Sequence, residues 1–318
     1  MRRSPFDAFC ALMSSQGGVG HVRQGSSLGL GRAAVTNRLS SGSWIEVQPG
    51  VVGAAGVPES RERAVWAAYL SVLYGGRSPK PRPVAVAGVS AAASYGWTVR
   101  SPYDAIGPRL ITPYGVRGPS LVDDAEVRRV GDWNDRRFAL VAGRTTTVPI
   151  DTVLDLAAGM SRDDLFAVVQ EELFRRPSGR DRLLCRTREG VAGSTAVRGI
   201  VGALDRGIDS VLHEHGHRHL AVVRLPPPTC GIEVIEGMGS VDCAIMRPGA
   251  VRPPWGMLVG WDGELHRLKR RKFRHDRVRD RRAKKGGWES VHYGWEDHEE
   301  PADMYDDMLV TWGRVLAG

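Results

Sequence analysis

The segment from Asp242 to Trp295 constrains the fold more than any other part of the chain. It reads VDCAIM, a turn containing Pro and Gly, then MLVGWDGELHR, a long basic run, and finally ESVHYGW. Short apolar runs bounded by turn residues mark buried strands, so strands are expected at 241–246, 257–262 and 290–295. A helix is expected over 264–285, stopped by Gly286-Gly287. The first two strands each carry a carboxylate, Asp242 and Asp262, beside a strongly cationic helix. Acids that hold a divalent ion next to a phosphate-gripping surface are what a nucleic-acid-cutting site needs.

Charge supports that reading because it is local. The chain carries +8, and twelve Lys and Arg against two Asp lie between 267 and 285, leaving the remainder slightly acidic. A surplus held in one helix favours a nucleic-acid footprint over a solvated helix face. Arg270, Arg271, Lys272, Arg274 and Arg277 are its DNA-contacting candidates. Cys10, Cys185, Cys230 and Cys243 are scattered without a C-x-x-C pair. They read as reduced thiols of a cytoplasmic protein, neither a zinc site nor a disulfide frame. No apolar run approaches a membrane span, and Asp7 interrupts the apolar patch at the start, so a first helix is expected there instead of a signal peptide.

Phe6, Phe9, Cys10 and Met13 have helical spacing over 5–14. A short helix near 21–28, a turn at 29–31, a second helix at 32–41 and a β-wing at 44–52 follow. In a helix-turn-helix the second helix presents its polar face to base edges. Arg32, Thr36, Asn37 and Arg38 are the exposed candidates, with Ala33, Val35 and Leu39 toward the core. Arg and Asn suit bidentate base contacts. The run Gly29-Leu30-Gly31-Arg32-Ala33-Ala34 spells a dinucleotide fingerprint but lacks the preceding strand and the later acid, so it is set aside. In the middle, 110–148 suggests a small sheet, and helices are expected at 151–158 and after Ser161, with Pro177 and Gly179 ending the latter. Asp155, Glu171 and Glu172 are read as helix-face and cap residues.

Val241-Asp242-Cys243-Ala244, Val259-Gly260-Trp261-Asp262-Gly263, His266 and the Arg-rich helix ending in Gly287-Trp288 resemble the very-short-patch-repair-like endonuclease domains of the PD-(D/E)XK superfamily. The resemblance covers the last third of the chain and implies a restriction-endonuclease-like core. It departs from the family where Gly260 stands in place of a Glu, and where Ser210-Val211-Leu212-His213 replaces a Ser-x-x-Glu pattern. Residues 6–98 resemble the winged-helix region of type IV toxin–antitoxin (abortive-infection) antitoxins. The matching parts are Gln16-Gly17-Gly18, Ser41-Gly42-Ser43-Trp44, Pro49-Gly50-Val51-Val52 and the Ala-rich run 89–97. That resemblance implies DNA binding.

His213, His215, His217 and His219 form two i,i+4 pairs on a helix, a spacing that can hold zinc. A solvated, pH-sensitive face is the reading preferred here, because Gly216 interrupts the helical pattern. The competing readings are a borrowed site, in which His213 or Glu214 replaces the family Glu, and adventitious metal binding.

These observations predict an α+β multidomain protein. A winged helix-turn-helix occupies 1–98, an α+β scaffold 99–205 and a restriction-endonuclease-like α/β core 206–318. The expected function is DNA binding by a transcriptional regulator or antitoxin-like protein with a degenerate nuclease domain. The alternative is an endonuclease using Asp242, Asp262 and His266 as catalytic residues, with Asp242 and His213 on Mg²⁺ or Mn²⁺. The expected partners are double-stranded DNA and a cognate toxin or other protein, with no membrane.

Overall fold

The computed structural model describes residues 4–75, 80–97, 99, 107–116, 124–189, 191–262 and 270–318, with backbone alone for 270–277. The chain is an α+β protein with three sheets, and it divides into two compact units, 1–194 and 195–318. No described helix is long and apolar enough to cross a membrane.

The first unit begins with α1 (Pro5–Ser15), whose Ser4 hydroxyl accepts the Asp7 N–H while Pro5 occupies the first turn, where no donor is needed. Then come β1 (Val19–His21), α2 (Val22–Ser27), α3 (Arg32–Ser40), β2 (Trp44–Gln48) and β3 (Val51–Ala54). The strands form an antiparallel sheet in the order β1-β3-β2. Phe9, Met13, Leu30, Val35, Trp44 and Val52 make the core between the helices and this sheet. His21 ends β1 and caps α2, its ring Nδ1 accepting the Arg23 N–H at 3.1 Å. Burial, reinforced by the Arg23 charge, pulls its pKa down to about 4, so it stays a neutral acceptor.

After α4 (Arg61–Tyr74) the chain builds a second sheet from β4 (Ala85–Val86), β5 (Arg109–Pro113), β6 (Glu126–Val130), β7 (Phe138–Val141) and β8 (Arg144–Thr147), in the order β6-β5-β4-β8-β7. The central strand β4 precedes residue 98, so this sheet draws on both sides of the boundary expected there. Helices α5 (Gly88–Ser94), α6 (Pro149–Ala157), α7 (Arg162–Arg175) and α8 (Gly179–Arg186) complete the unit. Ser161 caps α7 through the Asp164 N–H as expected, but Gly179 opens α8 instead of closing a helix region. Asp155 and Glu172 are not solvated: both are buried and paired, Asp155 with Arg128 and Arg136, Glu172 with Arg176. A buried carboxylate persists only with such partners.

The second unit starts with α9 (Ser194–Asp205) and α10 (Val211–Val222). Its sheet has the order β12-β11-β10-β9, from β9 (Thr229–Ile232), β10 (Val241–Met246), β11 (Gly256–Trp261) and β12 (Trp288–Tyr293). β9, β10 and β11 are antiparallel in turn, whereas β11 and β12 are parallel, joined by a crossover containing α11 (Arg270–Lys285). Trp295 lies outside the last strand. It opens α12 (Trp295–Glu299), where Asp297 accepts the Gly294 N–H, and α13 (Ala302–Ala317) follows. One face of the sheet packs Cys243, Ile245, Met257, Val259 and Trp261 against Leu212 and Leu220 of α10 and Met304, Met308 and Trp312 of α13. The other sets Ala244, Leu258 and Trp288 against Ala283 of α11.

Candidate functional site

On the α11 side of the second unit, the parallel register pairs Gly260 with His292. A Cβ at position 260 would overlap the imidazole at Nδ1, so glycine is what lets the ring lie over the β11 backbone. His292 then fills the space a longer side chain at 260 would need. Its Nδ1 stands 3.3 Å from Asp262 Oδ2 and its Nε2 2.9 Å from Asp280 Oδ1. Ser290 donates to the same Asp280 oxygen at 3.2 Å. Hydrogen bonding to Asp262, joined by the charge of Asp280, outweighs burial and raises the His292 pKa to about 8. An imidazolium clamped by two carboxylates offsets part of their mutual repulsion.

Asp242 is committed elsewhere. Its Oδ2 accepts the Trp261 N–H at 2.7 Å, one residue short of Asp262. His266 lies outside the described residues. Arg270, Arg271, Lys272, Arg274 and Arg277 lie on α11, and their side chains are also outside the described part. Sequence reasoning missed His292 because its role depends on strand register. The signal was Gly260 itself, a glycine inside a strand, which marks the close approach of a neighbouring group.

In the first unit, Arg32, Thr36, Asn37 and Arg38 are exposed on α3 while Val35 is buried. Ala33 does not face the core as expected. It is exposed, because two positions are about 200° around a helix and Val35 holds the inward direction. Arg38 lies 4.4 Å from the Phe6 ring centroid, a cation–π contact that orients it from α1.

The histidine stretch is a continuous helix. Gly216 does not interrupt it: a Cβ there would fall inside the Trp261 indole, so glycine lets α10 lie directly on β11. Its histidines are not a solvated face either. His215 packs against Trp295 and His298, and His219 bonds to Tyr305 and His298 at 2.8 Å each. His213 and His217 meet Cys230 and Cys243, which are direct cross-strand partners on β9 and β10. The scattered cysteines are therefore not all isolated thiols, since an antiparallel pair places 230 opposite 243. The same contact between them draws the Cys230 thiol down and pushes Cys243 up. Burial disfavours the charged form of His213, but Asp209, Cys230 and the Asp242 charge hold its pKa at about 9.

No protein-family model matches the chain, and no curated protein matches it in sequence.

Proposed function

We propose that the chain is a double-stranded-DNA-binding protein, a transcriptional regulator or antitoxin-like protein. Its carboxy-terminal unit keeps a restriction-endonuclease-like frame without a working cutting site. The observation that carries this reading is α3, which turns Val35 inward and leaves Arg32, Thr36 and Asn37 exposed. The element order α1, β1, α2, α3, β2, β3 supports reading this region as a winged helix, in which α3 would be the recognition helix. Cutting is not expected because position 260 offers no ligand and His292 occupies the neighbouring space.

The test is a gel-shift with a salt series, run beside cleavage of supercoiled plasmid in Mg²⁺ and then Mn²⁺. Binding without nicking is expected. Arg32→Ala or Asn37→Ala should relax sequence preference by about 1–3 kcal/mol at one base pair. Arg270→Ala should instead weaken all sequences alike and reduce the salt slope by roughly 0.9. Point changes suit this test better than removing 1–98, which would take β4 out of the middle of its sheet. A shift abolished by a protein partner and indifferent to DNA sequence would point to an interaction protein.

A second reading, a metal-dependent endonuclease, is favoured by one contact: Asp242 reaches the β11 backbone one residue before Asp262. Nicking that disappears in Asp242→Ala would establish it and overturn the first.

A further inference from the structure

The face of the second unit opposite α11 carries a constellation that DNA binding does not use. His213 and His217 sit one turn apart on α10, Cys230 on β9 and Cys243 on β10. The four ligand atoms all lie within 4.8 Å of one another. The two sulfurs are 3.7 Å apart, and Cys243 Sγ is 3.3 Å from His213 Nε2 and 3.7 Å from His217 Nε2. His217 Nε2 is 2.9 Å from Cys230 Sγ. A tetrahedral zinc ion, about 2.3 Å from sulfur and 2.0–2.1 Å from nitrogen, separates its ligand atoms by roughly 3.3–3.8 Å. The sulfurs are too far apart for a disulfide, whose bond is about 2.05 Å long.

We infer that His213, His217, Cys230 and Cys243 form a closed Cys2His2 site for one Zn²⁺ ion that ties α10 to β9 and β10. Three features support this beyond the distances. His213 and Cys243 are buried, so water does not complete the shell and the site is structural. The far nitrogen of His213, Nδ1, lies 3.4 Å from Asp209 Oδ1, the carboxylate–histidine arrangement that fixes a metal-binding ring. Two thiolates and two neutral imidazoles balance a divalent charge, and the mix of soft and borderline ligands suits zinc over Mg²⁺. Binding forms two Zn–S and two Zn–N bonds as the protons held on the thiols and on the His213 imidazole pass to solvent. His213 is thereby occupied, which removes it as a stand-in for the family Glu.

The experiment measures metal content of the full chain after purification and again after loading with Zn²⁺, then repeats loading with Co²⁺ as a spectroscopic probe. One equivalent of zinc is expected. The cobalt form should show the strong visible bands of tetrahedral coordination and a thiolate-to-cobalt charge-transfer band. Cys230→Ser and Cys243→Ser should lose that charge-transfer intensity, while His215→Ala should keep it. Asp209→Asn leaves all four ligands in place and should weaken zinc about 10–100-fold in chelator competition. Should the cysteine variants fail to fold, the wild-type cobalt spectrum and the Asp209→Asn competition still decide. Substoichiometric metal after loading, an octahedral cobalt spectrum without thiolate charge transfer, or a Cys230–Cys243 disulfide in the purified chain would each overturn the assignment.

Discussion

The two faces of the carboxy-terminal sheet solve the same electrostatic problem in opposite ways. Toward α11, two carboxylates converge, and the protein supplies its own cation, the His292 imidazole held between Asp262 and Asp280. Toward α10, two thiols and two imidazoles converge, their ligand atoms all within 4.8 Å of one another. The first face carries a cation of its own, and the second offers four ligand atoms to an ion from outside. The two faces thus differ in whether the fold supplies a cation of its own. That difference sets a self-paired carboxylate cluster on one face against the proposed zinc staple on the other.

The largest effect separating them should come from chelation. A ligand at a thousandfold excess over its dissociation constant stabilises by about 4 kcal/mol. Stripping zinc should therefore lower stability by about that amount in a denaturant titration, and His292→Ala should leave this loss unchanged. A chelator that alters nothing would break the comparison. Next, Gly216→Ala forces a methyl into the Trp261 indole and should cost about 1–3 kcal/mol, read by thermal unfolding.

The pH responses should run in opposite directions. The His292 pKa is raised to about 8 from an ordinary value near 6.5, so the folded chain binds more protons across that window. Its contribution is complete below pH ~6.5 and is lost as pH rises through about 8, a change of about 1–2 kcal/mol. His292→Gln should flatten that slope. Zinc affinity should fall as pH falls, because protons compete for the thiolates. The smallest effect is expected from Asp280→Asn: with Asp280 41 % exposed, the pair is worth about 0–1 kcal/mol.

The strands β10, β11 and β12 and the end of α11 were legible because apolar runs and turn glycines are local signals. The residues of α3 were legible for the same reason, Ala33 excepted. Strand β9 was not: Thr229–Ile232 is four residues long, half exposed and interrupted by glycine. Without β9 the partner of Cys243 could not be seen, and Cys230 read as an isolated thiol. The i,i+4 spacing of His213 and His217 was visible, and a pair of cysteines 13 residues apart across a turn was its missing complement. Gly216 misled for a specific reason. Glycine is a weak helix former in isolation, and only the Trp261 face explains its use within α10.

The pairing of Gly260 with His292 also orders the substitutions open to this chain. Any side chain larger than hydrogen at 260 collides with a ring already in place, so a change there is penalised while His292 remains. A change at 292 must come first, and it releases the clamp on Asp262 and Asp280 before anything is gained. Placing an acid at 260 is a two-step path through a less stable intermediate, and the pair therefore works as a ratchet.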